Sequence, residues 1–171
     1  MGDVQGTPTI TISSWSELMD ELYYESWDRS LERFRSPFVF RGMGIDTNDL
    51  STTLQRLASK HENIYKVEGH LLRNFRKYAH ANAAAGDSVW NWLALAAHHG
   101  LPTRVLDWTY SPFVALHFAT ERLSHYDSDA VIWCVNHRSC SERLPAKLSN
   151  ELADEGSNVF TVDMLNCAAQ S

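Results

Sequence analysis

A chain of 171 residues with 44% hydrophobic and 21% charged residues has the length and composition of one folded, soluble domain. That excludes a disordered or fibrous chain, and the longest apolar runs, Trp90 to Ala97 and Phe113 to Ala119, are too short to cross a bilayer. A net charge of −6 argues against a general nucleic-acid binder.

Elements follow in chain order. Alternating Thr and Ile over Thr9 to Ile12 predict a strand, and Ser14 with Glu17 forms a capping box that opens a helix through Leu18 and Leu22. Pro37 to Gly42 is a short β-rich run stopped by Gly42 and Gly44. Apolar residues at helical spacing from Asn63 to Ala83 predict a long amphipathic helix despite Gly69 in its interior. A second helix begins at Asp87 or Ser88 and ends at Gly100-Leu101-Pro102, a glycine and proline stop. Thr103 to Thr109 is a short strand or extended turn, and Ser111 with Pro112 opens a third helix. Ala130 to Val135 is a buried strand, and Val159 to Val162 a weaker one. Helices and strands without regular alternation predict a single α+β domain over residues 1–171, its small, mostly antiparallel sheet flanked by helices.

Charge is uneven along this order. Residues 1–28 carry six acidic residues and no basic one, residues 29–78 ten basic against five acidic, and residues 79–171 five basic against ten acidic. The central stretch suits an anionic ligand such as a dinucleotide or nucleic-acid backbone, or else a solvated helix face. The amino terminus shows no secretory signal, so the expected compartment is the cytoplasm. Cys134, Cys140 and Cys167 have neither a CxxC pair nor zinc spacing, as expected of reduced thiols there.

No Walker loop, GxGxxG, HExxH or GxSxG is present. What stands out is density: His98, His99, Arg104, Asp107, Thr109, Ser111 and His117 fall within twenty-odd residues, interleaved with Trp108, Tyr110 and Phe113. Polar groups on short connections between capped helices are placed to converge on a cleft. Phe40-Arg41-Gly42 adds an Arg at a strand end beside a residue without a side chain, which leaves room for a ligand at the backbone. The Arg fork suits phosphate or carboxylate, or pairs internally with Asp107. Structural alternatives exist for the others: Ser111 is a helix cap, His98 and His99 suit a helix C-terminus, and Trp90, Trp92, Trp108 and Trp133 suit core and cleft wall. His98, His99, Asp107 and His117 match no standard metal spacing, so no metal is expected.

Phe40-Arg41-Gly42, the segment LSTTLQR from Leu50 to Arg56, the helix with Leu71, Leu72 and Phe75, and above all AHHGLPTRVLDWTYSPFVALHFAT from Ala97 to Thr120 closely resemble the FRG domain family. The likeness covers roughly residues 10–136. More distantly, an Arg-Gly pair on an early strand and a Ser/Thr-x-Ser/Thr segment leading into an Ala-rich, Phe-containing helix are similar to the first two motifs of mono-ADP-ribosyltransferases. That resemblance implies an ADP-ribosyltransferase-like fold with NAD as cofactor and a protein or nucleic-acid acceptor. Arg41 would hold NAD, Thr109 and Ser111 would brace the nicotinamide pocket, and His98 and His99 would contact ribose; Gly42, Arg104 and Asp107 complete the expected binding set. The third motif, a Glu from a late strand, and the R-I-x-x-Q-like segment of FRG proteins have no counterpart after Val159, and Glu121, Glu142, Glu151 and Glu155 lie in no strand motif. The resemblance therefore implies an NAD-binding effector of toxin or phage-defence type, catalytic at Arg41, His98, Thr109 and Ser111. The alternative is a non-catalytic module for protein, nucleotide or nucleic acid, using the same cleft or the basic 29–78 stretch; behind both stands a hydrolase or nuclease pairing His98 or His99 with Asp107.

Overall fold

Ser14 opens the first helix: its side chain accepts from the N–H of Glu17, while Glu17 reaches back to the N–H and hydroxyl of Ser13. This is a computed structural model, and it describes residues 8–46, 49–58, 63–79, 86, 88–157 and 159–165. The chain gathers into two units, Met1–Asp49 with Asp107–Arg143, and Leu50–Leu106 with Leu144–Ser171.

In the first unit, α1 (Trp15–Leu22) precedes a hairpin of β1 (Trp27–Asp28) and β2 (Arg33–Phe34). The carboxylate of Asp28 accepts the N–H groups of Ser30 and Leu31 and the hydroxyl of Ser30, and Glu32 closes the turn at φ +47°. β3 (Phe38–Met43) pairs antiparallel with β4 (Val131–Asn136), with Phe40 opposite Cys134. α5 (Pro112–Thr120) lies on this sheet, and α6 (His137–Ser141) follows β4 directly, capped by Asn136. Leu22, Phe40 and Ala115 form the buried core, with Leu18, Met19, Phe38 and Ile132 packed around them.

The helix can lie this close because of Gly42. A Cβ there would sit 1.7 Å from the carbonyl oxygen of Ala115 and 2.9 Å from the amide nitrogen of Ala119. The space beside Gly42 that the sequence offered to a ligand is thus filled by the α5 backbone, an approach that small residues at 42, 115 and 119 permit.

The second unit is helical. Thr52 and Gln55 exchange side-chain bonds with each other's N–H to open α2 (Thr53–Ala58). α3 (Ile64–Tyr78), capped by Asn63, packs on α4 (Val89–His98), capped by Ser88, through Leu72, Leu93 and Ala96, with Phe75, Trp90, Trp92 and Leu101 around them. α3 stops at Tyr78; residues 80–83 of the expected helix lie outside the described residues, as do Asp87 and Cys167. Gly100 at φ +79° ends α4 as anticipated. α7 (Ala146–Asp154) buries Leu152.

Helices together with small antiparallel sheets make this an α+β protein. Two expected strands are absent. Residues 9–12 join no ladder and Ile10 is exposed, because alternation makes a strand only where a partner takes its backbone bonds. Over 159–162, Thr161 instead accepts the N–H of Met164 and starts a helical turn at Val162.

Candidate functional site

Phe40 fixes the local geometry. Its side chain is 1% exposed, and its N–H and C=O exchange bonds of 2.7 and 2.9 Å with Thr109 on the edge of β3 away from β4. Side chains alternate along a strand, so Phe40 and Gly42 face α5 while Arg41 emerges on the reverse face. There the half-buried Arg41 donates from Nη1 to the carbonyl oxygen of Asp107 at 2.8 Å. Trp133 is directly opposite Arg41 in the ladder, hence on the same face. Its indole Nε1 is buried with no hydrogen-bond partner among the described residues.

The hydroxyls expected beside Arg41 are used by the fold. Thr109 Oγ1 accepts the N–H of Ser111 at 3.0 Å, and Ser111 Oγ accepts the N–H of Val114 at 3.4 Å, which together open α5. Pairing of Thr109 with Phe40 puts the Thr109 side chain on the α5 side of β3, the opposite face from Arg41. His117 on α5 is exposed and sits 3.7 Å from the carboxylate of Glu121.

Further expected residues belong to the second unit. His98 and His99 end α4 with ring centroids 5.6 Å apart, and His99 lies 5.9 Å from the ring of Phe75. Arg104 is held by Glu68 of α3. This carboxylate, only 4% exposed, accepts the Arg104 backbone N–H at 2.9 Å, Nε at 2.6 Å, and Nη2. The guanidinium also lies 4.9 Å over the ring of Tyr65. Its pKa is raised, first by the side-chain bond to Glu68. Glu68 was not foreseen as a partner, since 36 residues separate it from Arg104 and nothing local marks it.

Two further groups in the first unit have shifted proton affinities. Burial, then the charge of Glu21, pushes the Cys134 thiol up to about 11, so it is protonated at neutral pH. His137 is lowered by burial first, then by Arg138 and Arg35. Among the described residues no three His, Cys, Asp or Glu side chains gather to hold a metal ion, and no helix is long and apolar enough to cross a membrane.

The sequence profile of the FRG domain matches residues 36–128, more than half of the chain. The chain belongs to the FRG domain family. The match begins beside β3 and runs past α5, so it takes in the tripeptide Phe40-Arg41-Gly42, the Glu68–Arg104 pair and the Thr109 bridge. The three residues of the tripeptide do different things: Phe40 fills the core, Arg41 holds the Asp107 carbonyl, and Gly42 admits α5. No curated protein matches the chain. No solved structure matches it either.

Proposed function

We propose that this FRG domain binds NAD, or another nucleotide carrying a pyrophosphate, on the Arg41 face of the β3–β4 sheet, after the manner of ADP-ribosyltransferases. The observation that carries the reading is the pairing on one face of two donors of different kinds. Arg41 is a guanidinium whose direction is set by the Asp107 carbonyl, and Trp133 is a buried indole N–H without an acceptor among the described residues. An Arg held in place binds phosphate with less ordering cost than a mobile one, and a buried N–H without a partner is a place where an acceptor gains a full hydrogen bond. Bound NAD supplies a glycosidic bond that breaks with release of nicotinamide; what this chain contributes is the anion anchor at Arg41.

A second reading, a binding module without transfer chemistry, is favoured by two specific observations. The hydroxyls of Thr109 and Ser111 are engaged at the start of α5, and the described residues after β4 form helices rather than a late strand carrying Glu. Calorimetric titration with NAD, followed by an assay for free nicotinamide, separates the two. Wild type is expected to give heat with NAD, and Arg41→Lys, which keeps the charge but loses the fork, to lose most of it while its thermal melt stays close to wild type. Heat with nicotinamide release supports transfer, and heat without release supports the binding module. No heat from wild type at millimolar NAD overturns both readings as applied to NAD.

A further inference from the structure

Among the described residues, no strand pairs with the outer edge of β4. Because Phe40 turns both its backbone groups toward Thr109, Phe40 and Cys134 form a non-hydrogen-bonded pair in the ladder, and the strand's alternation directs the N–H and C=O of Ile132, Cys134 and Asn136 away from β3. Among the described residues, Ile132 and Cys134 have no backbone partner on that side, and the Ile132 carbonyl takes only a long contact of 3.9 Å from the Cys134 thiol. The strand Val131-Ile132-Trp133-Cys134-Val135-Asn136 pairs residue for residue with β3 without a bulge, and it contains no proline and no charge. Bulges, prolines and charges are the devices by which proteins keep an edge from pairing.

We propose that β4 pairs antiparallel with β4 of a second copy of this chain, about a twofold axis at Cys134, to make one four-stranded sheet. Two features favour a second copy over an unrelated strand. First, the outward groups are symmetric about Cys134: setting Cys134 against its counterpart brings Ile132 of each copy opposite Asn136 of the other, so both copies offer matching donors and acceptors. Second, the flanks are complementary. Asp127 and Asp129 precede the strand, while Arg138 follows it. Antiparallel pairing brings the acidic end of each strand to the basic end of the other, twice per dimer, with an uncharged seam between. A chain of net charge −6 can approach its own copy along such a neutral strip.

Sedimentation velocity over a range of concentrations tests this on the whole chain. Wild type is expected to show a concentration-dependent dimer. Cys134→Pro removes an outward N–H and leaves the bonds to β3 in place, so it is expected to be monomeric with an unchanged circular dichroism spectrum. Asp129→Lys and Arg138→Glu test the seam without touching the strand. Each alone is expected to weaken the dimer about tenfold, and the two combined to restore it. A wild-type chain that stays monomeric at high micromolar concentration overturns the proposal. So does a dimer unaffected by Cys134→Pro, which places the interface elsewhere, or a charge-swapped double variant no tighter than the singles.

Discussion

The β3–α5 contact of the first unit is made at backbone distance, whereas the α3–α4 contact of the second is made through side chains. In the first, Gly42, Ala115 and Ala119 let a helix rest on a strand with almost nothing between them. In the second, Leu72, Leu93 and Ala96 interdigitate under a rim of aromatic rings, and a buried carboxylate ties α3 to the segment beyond α4. Backbone packing leaves no side chain that can yield, while side-chain packing can relax. The two units should therefore respond very differently to the same change.

The largest difference is expected at the two glycines that interrupt apolar segments. Gly42→Ala drives a methyl into the Ala115 carbonyl, and only movement of α5 relieves it, so a loss of about 4 kcal/mol or failure to fold is expected. Gly69 on α3 is the converse: a Cβ there meets only the far end of Arg73, at 3.9 Å. Gly69→Ala should stabilise by about 0.5–1 kcal/mol, since it trades backbone freedom for helix propensity. Urea unfolding of both variants checks the pair. Equal and small effects would mean that α5 does not rest on Gly42.

Between these extremes lies the Glu68–Arg104 pair, which makes the second unit less uniformly pliant than its aliphatic core suggests. Burial is unequal, with side-chain exposures of 4% for Glu68 and 43% for Arg104. Removing Arg104 strands a buried carboxylate, and Arg104→Met should cost about 2–3 kcal/mol, less than a fully buried pair because the guanidinium is partly screened by water. Glu68→Leu releases a guanidinium that water can reach and should cost distinctly less. Denaturant melts showing the reverse order would assign the burden to Arg104.

Much of this architecture was legible in the sequence because caps are local. Ser14, Ser88 and Ser111 each sit three residues before the N–H they accept, and Gly100 marks a helix end within one turn. The missed parts depend on distance or on a residue acting against its type. The β1–β2 hairpin turns on the Asp28 carboxylate and on a glutamate at positive φ, where glycine or asparagine would have signalled a turn. Gly42 was visible as a place of close approach, but the absence of a side chain does not say whether a ligand or a helix fills the space. Arg104 read as a ligand residue because its partner lies on α3, far away in the chain, and Thr109 and Ser111 because a hydroxyl serves equally as cap and as pocket wall. Arg41 beside the Thr109 segment was the legible part of the candidate site, and the unpartnered indole of Trp133 was the part only coordinates reveal.

The smallest expected effect sharpens the comparison from the first unit's side. His137 starts α6 where β4 ends, its N–H bonded to the Pro37 carbonyl and its ring 5.9 Å from that of Tyr110. Burial, Arg138 and Arg35 all lower its pKa from the ordinary 6.5, so the unfolded chain binds a proton at this site more readily than the folded one. Stability from this group is fully present above 6.5 and is lost as pH falls through the lower folded value, because the unfolded state then holds more protons. His137→Phe should flatten that part of the stability profile. Thermal melts of wild type and this variant across mildly acidic pH decide it: a slope that survives in His137→Phe would mean another group senses the proton.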